Sequence, residues 1–129
     1  MLPISSGDGI AFTARTDDAG RLLDGRCDIQ IQGITPPARY WTLTLYDNEG
    51  QLVANALDRN GFTSQEVARD ANGGITINIA PRARAGNWLP SSALNQIVLV
   101  MRLYDTPVGV GTRTTKDTPM PAITTRSCP

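Results

Sequence analysis

Hydrophobic and polar residues alternate along several short stretches of this chain, and no long stretch repeats with helical spacing. The clearest stretch is 40–46, in which Trp41, Leu43 and Leu45 alternate with tyrosine and threonine. Successive side chains of a strand point to opposite faces, so this pattern predicts a strand with one buried face. A turn at 47–50 follows, and it predicts a hairpin in which residues 51–55 pair back onto the strand.

The same alternation recurs in four further segments, at residues 10–15, 28–33, 75–79 and 95–105. In the last of these, apolar residues occupy both faces as far as Met101, which predicts a central strand covered on both sides. Residues 62–69 are ambiguous, because Ser64 can cap a short helix. The strong turn signal at 70–74 favours a hairpin with residues 75–79 instead.

Short strands separated by frequent turn signals indicate a β-rich fold. We expect one domain over residues 1–129, an all-β antiparallel β-sandwich that is jelly-roll-like, with about seven to nine short strands. Residues 1–9 are expected to form a flexible lead, and residues 106–129 a tail that wraps the surface. The inward positions of the strands predict one shared core, comprising Trp41, Leu43, Leu45, Ile77, Leu99 and Met101.

Composition excludes several classes of function. Twelve basic residues match twelve acidic residues, so the chain lacks the excess positive charge with which nucleic-acid-binding proteins attract phosphates. There is no histidine, which excludes histidine-based catalytic triads and histidine metal ligands. No segment approaches the roughly 20 apolar residues of a membrane-spanning helix.

The two cysteines, Cys27 and Cys128, lie in opposite halves of the chain. Cys128 stands in a polar tail, where a thiol has little to pack against, so one disulfide is favoured over two unrelated thiols. Such a bond closes a loop of about 100 residues and contributes up to about 4.7 kcal/mol in the chain-entropy model. It also predicts an oxidising compartment, although no signal peptide is visible.

The acidic residues cluster in turn-like segments and give no calcium-binding loop. Such a loop needs an acidic ligand at its twelfth position, which is Pro81 when counted from Asp70 and Arg69 when counted from Asp58. Counted from Asp47 the twelfth position is Asp58, but the sixth is Leu52 instead of the required glycine. We predict no metal, no cofactor and no catalytic residue, and we favour a protein that is not an enzyme. The alternative is a histidine-free hydrolase with paired carboxylates, for instance Asp47 and Asp58.

Asn87 and Trp88 form the most unusual predicted loop. In the structural interpretation Trp88 caps the edge of the sandwich while Asn87 shapes the turn. In the functional interpretation Trp88 is an amphipathic anchor in a recognition loop.

Arg102 and Tyr104 follow an apolar run on the strand expected to be central. A charge on an apolar strand face is costly unless it is paired. We therefore expect Arg102 to pair with a carboxylate such as Asp47 or Asp58. The alternative is that Arg102 holds an anionic group of a ligand in a bidentate grip.

Four sequence blocks in order carry a family resemblance. They are Tyr-Trp-Thr-Leu-Thr-Leu-Tyr-Asp at 40–47, Val-Ala-Asn at 53–55 with Arg59 following, Gly-Asn-Trp-Leu-Pro at 86–90, and Val-Met-Arg-Leu-Tyr at 100–104. Together they resemble the family called domain of unknown function 1214, over roughly residues 26–128. The predicted ligand-binding residues are Arg59, Asn87, Trp88, Arg102 and Tyr104.

The resemblance implies a β-sandwich in a bacterial periplasm or another extracytoplasmic space. It is closest to the short type of this family, in which an inner-membrane anchor, not part of this chain, precedes the domain. Related domains form the C-terminal half of longer paired 1254/1214 proteins, and the family has no established activity. We expect a non-catalytic module that binds an envelope protein or a small-molecule ligand, and no nucleic acid. The alternatives are a carbohydrate-binding module using Trp41, Trp88 and tyrosines, or the hydrolase, and the oligomeric state stays open.

Overall fold

The computed structural model describes residues 2–6, 9–108 and 119–129, with side chains from residue 9 onward. Nine strands and no helix lie within these ranges. The strands are β1 (Leu2–Ser6), β2 (Gly9–Ala14), β3 (Asp28–Gly33), β4 (Tyr40–Asp47), β5 (Gly61–Thr63), β6 (Ile75–Ala80), β7 (Asn87–Pro90), β8 (Ile97–Tyr104) and β9 (Ala122–Ser127).

The strands form two sheets, and the predicted all-β sandwich is confirmed. The five-stranded sheet has the order β1-β2-β8-β4-β5, and the four-stranded sheet has the order β7-β6-β3-β9. All pairings are antiparallel except that of β6 with β7, which is parallel. β8 lies between β2 and β4, as expected for its long apolar run.

The core between the sheets is built from the inward residues of the alternating strands. Across β4 and β8, Trp41 pairs with Leu103, Leu43 with Met101 and Leu45 with Leu99. Because paired positions share a face, this register puts the members of these three pairs on the inner side. The six residues predicted to share a core are all buried in one cluster, so that prediction is confirmed.

Two segments predicted to lie outside the sheets contribute edge strands. Part of the expected lead forms β1, and part of the expected surface tail forms β9; residues 109–118 of that tail lie outside the described residues. The predicted loop at 87–90 is also a strand, β7. Each of these strands pairs on one side only and is at most six residues long, so its sequence carries a short alternation at best.

The two predicted hairpins are present only as isolated antiparallel bridges and not as paired strands. Residues 51–55 make a single bridge to β4, between Leu52 and Tyr46, and β5 takes the place beside β4. The chain leaves the sheet here because Asn55 closes a local loop, accepting hydrogen bonds from the backbone N–H groups of Leu57 at 3.1 Å and Arg59 at 3.0 Å. Likewise, residues 62–69 meet β6 only through the bridge of Arg69 with Ile75.

β9 is fixed to the sandwich from both sides. On one side it pairs with β3, and the predicted disulfide between Cys27 and Cys128 is confirmed at the end of this pair. On the other side the turn after β2 covers its free edge. The Thr125 hydroxyl donates to the Asp17 carboxylate at 2.7 Å, and the backbone N–H of Ile123 donates to Asp18 at 3.1 Å.

Candidate functional site

The structure places the predicted binding residues in two separate parts of the sandwich. Arg102 and Tyr104 lie on β8 and face outward from the five-stranded sheet. Asn87 and Trp88 lie on β7, at the edge of the four-stranded sheet. Arg59 belongs with the second group, because its guanidinium donates a hydrogen bond to the backbone oxygen of Trp88 at 3.3 Å.

The outer face of the five-stranded sheet carries aromatic residues around Arg102. The Arg102 guanidinium lies 5.7 Å from the ring centre of Tyr46, in cation–π contact. Beside it, the rings of Tyr40 and Tyr104 lie 5.9 Å apart. These four residues, Tyr40, Tyr46, Arg102 and Tyr104, are here called the tyrosine face.

The carboxylate partner predicted for Arg102 is wrong for the part of the chain that the structure describes. Asp47 instead accepts the backbone N–H groups of Glu49 and Gln51, each at 2.9 Å, and so holds the turn after β4. Asp58 lies exposed in the loop before β5. The side chain of Arg102 is partly exposed to solvent. Water can therefore solvate its charge, and no carboxylate partner is needed.

The side-chain amide of Asn87 makes its hydrogen bonds to backbone groups of the fold itself. Its nitrogen donates to the backbone oxygens of Ala68 at 2.7 Å and Thr76 at 3.0 Å, and its oxygen accepts the N–H of Ala68 at 2.8 Å. Asn87 is also buried, with 7% of its surface exposed. These contacts give Asn87 the structural role of joining the loop before β6 to the strands β6 and β7.

Trp88 faces the opposite way from Asn87, onto the outer surface of the four-stranded sheet. Its indole N–H donates to the backbone oxygen of Ala80 at 3.1 Å, which holds the half-buried ring against β6. Trp41 is different: it is 2% exposed and belongs to the core, so the expectation that it forms part of a ligand platform is wrong. Arg59 lines a separate hollow of about 360 Å³ formed by its own loop.

A site that sequence reasoning missed lies on the outer face of the four-stranded sheet. Strand register places four residues in one row across the sheet, because Asn78 pairs with both Trp88 and Gln30, and Gln30 also pairs with Thr124. The row thus contains a tryptophan, two amides and a hydroxyl. It is here called the polar row, comprising Trp88, Asn78, Gln30 and Thr124.

The centre of the polar row opens into a shallow cavity of about 310 Å³, here called the amide cleft. Its polar lining residues are Asp28, Gln30, Asn78, Arg84 and Arg126. The side chains of Gln30 and Asn78 are half-buried and make no hydrogen bond within the described residues. Each amide offers two donors and an acceptor, so these two side chains are free to bind a polar ligand.

Arg84 and Asp28 form the end wall of the amide cleft. The Arg84 guanidinium donates to Asp28, and the Ser127 hydroxyl donates to the same carboxylate oxygen at 3.2 Å. The negative charge of Asp28 is therefore balanced within the protein. Arg126 projects from β9 beside this pair and has no partner in the part of the chain that the structure describes.

The two carboxyl groups with shifted pKa values, those of Asp17 and Asp24, favour the ionised form. Arg26 hydrogen-bonds Asp24 and holds the pKa of that carboxyl below its ordinary value. Burial alone would raise the pKa of Asp17, but hydrogen bonds from Thr125 and Arg21 bring it below the ordinary value. A general acid needs a raised pKa instead. The described residues also contain no cluster of three side chains that could hold a metal ion, and no helix suited to cross a membrane.

The sequence contained one signal for the missed site. Gln30, Gln32, Thr76 and Asn78 occupy the outward positions of β3 and β6, and amides are uncommon in strands. The pairing of β3 with β6 joins segments more than 40 residues apart. The sequence alone therefore does not show that these side chains are neighbours, because that depends on the register of the two strands.

The fold and the cleft define a β-sandwich with an open polar surface on one sheet. The family model for proteins of unknown function DUF1214 matches residues 8–108, so the chain belongs to that family. No curated protein matches the chain.

Solved structures share the fold. The chain is similar to the VPA0106 protein from Vibrio parahaemolyticus, with a TM-score of 0.79 and 21% sequence identity, over 93% of this chain and 31% of that one. It is also similar to a putative uncharacterized protein from Burkholderia cenocepacia, with a TM-score of 0.61 and 16% identity, over 97% of this chain and 32% of that one. The chain thus spans about a third of the length of these relatives.

Proposed function

We propose that this domain is a non-catalytic ligand-binding module of the bacterial cell envelope, and that it binds its ligand in the amide cleft. The single observation that carries the proposal is the pair of unpartnered amides, Gln30 and Asn78, at neighbouring positions in one cavity. Half-buried amides on neighbouring strands can hydrogen-bond each other or the backbone, and the side chains of Gln30 and Asn78 do neither within the described residues. Left free in a concave surface, they provide directed donors and acceptors for a ligand.

The chemistry of the polar row favours a ligand rich in hydroxyl groups. An amide can donate to one hydroxyl oxygen and accept from another hydroxyl at the same time. Trp88 adds an amphipathic ring next to Asn78, suited to the apolar face of a sugar. The cavity is open and is lined by both polar and apolar atoms, which suits a saccharide, since its hydroxyl groups and its ring carbons need both.

The disulfide supports a position outside the cytoplasm. Structural disulfides persist in oxidising compartments such as the bacterial periplasm. Cys27 is buried beside β3 and its bond to Cys128 joins β9 to that strand, so it belongs to the fold of the four-stranded sheet. We propose a periplasmic or other extracytoplasmic location, with attachment to the inner membrane through an anchor that lies outside this chain.

A second candidate function is docking of an envelope protein on the tyrosine face. Tyrosine and arginine are enriched among the residues that dominate protein interfaces. Tyr104 is 39% exposed, and Arg102 beside it has an otherwise unpaired guanidinium within the described residues. Binding at this face would depend on Arg102 and Tyr104 and would not depend on the amide cleft.

We expect Gln30→Ala together with Asn78→Ala to weaken saccharide binding by about tenfold or more, equivalent to about 1.4 kcal/mol, while leaving the fold intact. A panel of oligosaccharides is first screened by thermal shift, since a ligand that binds the folded state raises Tm. The affinities of wild type and variant are then measured by isothermal titration calorimetry.

The matched control is Gln32→Ala, which removes an amide from the same face of β3 but outside the amide cleft. This variant should bind as wild type does. Equal affinities of wild type and the double variant would reject the amide cleft as the binding site. Loss of binding only on replacing Arg102 and Tyr104 would favour the tyrosine face.

A further inference from the structure

An excess of arginine surrounds the end of the four-stranded sheet at which the disulfide lies. A second hollow of about 690 Å³ opens there, next to the amide cleft, and it is lined by Arg26, Arg82 and Arg84. Arg126 lines the amide cleft itself. These four residues, Arg26, Arg82, Arg84 and Arg126, are here called the arginine cluster. The chain as a whole has equal numbers of acidic and basic residues, so this concentration is local.

Two members of the arginine cluster are paired and two are free. Arg26 pairs with Asp24 at 2.7 Å, and Arg84 pairs with Asp28. Arg82 and Arg126 make no ion pair or hydrogen bond in the ranges that the structure describes. Both are exposed, so each presents its donors to the solvent. The side chains of the cluster therefore carry more positive charge than the neighbouring carboxylates balance.

The amide cleft and the second hollow form one continuous surface. Asp28 and Arg84 line both of them, so the pair of side chains stands at the boundary. On one side of this boundary lie the free amides of Gln30 and Asn78, and Arg126 projects beside them. On the other side lies Arg82. A ligand that extends from the amides past the Arg84–Asp28 pair meets a free guanidinium on either side.

From this juxtaposition we infer that the ligand is an acidic saccharide, whose hydroxyl groups bind Gln30 and Asn78 and whose anionic groups bind Arg82 and Arg126. The inference rests on the proposed function of the same surface and names its ligand class. A guanidinium presents parallel N–H donors that match the two oxygens of a carboxylate, sulfate or phosphate. The free amides provide no charge, so the arginine cluster would set the preference for acidic over neutral sugars.

An anionic membrane surface is the rival partner for such a cluster, and the structure favours it less. The two hollows are concave, whereas a bilayer surface is broad and nearly flat. Proteins that lie on membranes insert apolar side chains next to their basic residues. The exposed large aliphatic residues, Leu22, Ile34, Leu52 and Leu57, do not line either hollow.

The test compares saccharides that differ only in charge. Tetragalacturonate is paired with its methyl ester, and sulfated and phosphorylated oligosaccharides are paired with their unsubstituted forms. Each affinity is measured by calorimetry at low and high salt. We expect the acidic member of at least one pair to bind about tenfold more tightly, and the difference to shrink in high salt because exposed charges are screened.

The variant that tests the arginine cluster carries Arg82→Gln and Arg126→Gln. We expect it to bind the acidic and neutral members of a pair about equally, with the neutral affinity of wild type retained. The matched control carries Arg39→Gln and Arg69→Gln, which remove the same charge from exposed positions outside both hollows. The control should keep the preference for the acidic member.

The outcomes separate this inference from the proposed function. Equal binding of acidic and neutral saccharides by wild type would overturn the inference while leaving a saccharide-binding cleft. A preference that persists in the Arg82→Gln, Arg126→Gln variant would overturn the assigned residues. Binding to vesicles of anionic lipid without binding to any saccharide would overturn both proposals in favour of a membrane surface. No binding to any member of the panel would also overturn both.

Discussion

Replacing Cys27 and Cys128 by alanine is expected to lower the free energy of unfolding by about 4 kcal/mol, the largest effect of any change considered. The bond spans 101 residues, and closing a loop of that length removes about 4.7 kcal/mol of chain entropy from the unfolded state in the usual model. It also joins β9 to β3, so β9 should detach first when the bond is absent. Urea unfolding of both proteins at neutral pH measures the loss.

Reductant supplies the control for this measurement. It should lower the urea midpoint of the wild type and leave that of the double alanine variant unchanged. If wild type and variant unfold at the same midpoint, the bond contributes nothing to the stability of the fold. Because Arg126 lies on β9 and Arg82 does not, the alanine variant is also expected to show a weaker preference for acidic saccharides.

Asp17→Ala is expected to cost about 3 kcal/mol of stability. The buried carboxylate of Asp17 accepts hydrogen bonds from the backbone N–H groups of Ala19 and Arg21, from the Arg21 guanidinium and from the Thr125 hydroxyl. Hydrogen bonds to a charged group contribute about 1.5–3 kcal/mol each, and part of this is recovered when water replaces the carboxylate. Urea melts give the loss, with Glu49→Ala in an exposed turn as the control.

The same carboxylate predicts a loss of stability in acid. Its pKa is lower in the folded chain than its ordinary value of 3.8, because the hydrogen bonds from Thr125 and Arg21 outweigh the effect of burial. A lowered pKa stabilises the fold fully above the ordinary value, and this contribution is lost as the pH falls below about 4. Asp24 contributes in the same direction.

Asp17→Asn separates this effect from general acid unfolding. The variant should show a smaller drop in Tm between pH 5 and about pH 3 than the wild type, because one group that takes up a proton on unfolding is gone. An equal drop in both proteins would mean that Asp17 does not govern the acid response. Glu49→Gln, in an exposed turn, provides the matched control and should show the same drop in Tm as the wild type.

The strands at the centre of each sheet could be predicted from the sequence, whereas most of those at the edges could not. β3, β4 and β6 alternate clearly because the inner face of each packs against the opposite sheet, and β8 stands out as a run that is apolar on both faces as far as Met101. β1 and β9 lack a long apolar alternation, and β7 has only four residues. Their positions depend on backbone pairing with neighbours, on the disulfide and on the Asp17 turn, which are contacts between distant segments.

The candidate site was harder to predict than the fold. Trp88 was conspicuous in the sequence as an isolated aromatic residue, and Arg102 as a charge next to an apolar run. The structure places them on different sheets, Trp88 on β7 and Arg102 on β8. Gln30 and Asn78 were inconspicuous as single residues. They become a candidate site because the register of β3 and β6 places them side by side and because nothing in the described residues satisfies their amides.

The amide cleft lies on the outer face of the four-stranded sheet, which faces away from the core. This chain covers about a third of the solved relatives. A domain with two solvent-facing sheets can present one to a ligand and the other to a protein. The amide cleft and the tyrosine face lie on different sheets, so a ligand and a protein partner could bind at the same time.

The most direct test of the central claim is an NMR titration of the ¹⁵N-labelled domain with the tightest-binding saccharide of the panel. We predict that the largest shifts occur at the side-chain amides of Gln30 and Asn78 and at the guanidinium N–H groups of Arg82 and Arg126. Backbone signals of β3 and β6 should move with them. Shifts confined to Tyr40, Arg102 and Tyr104 and their neighbours would instead place the binding surface on the five-stranded sheet and contradict the assignment of the amide cleft.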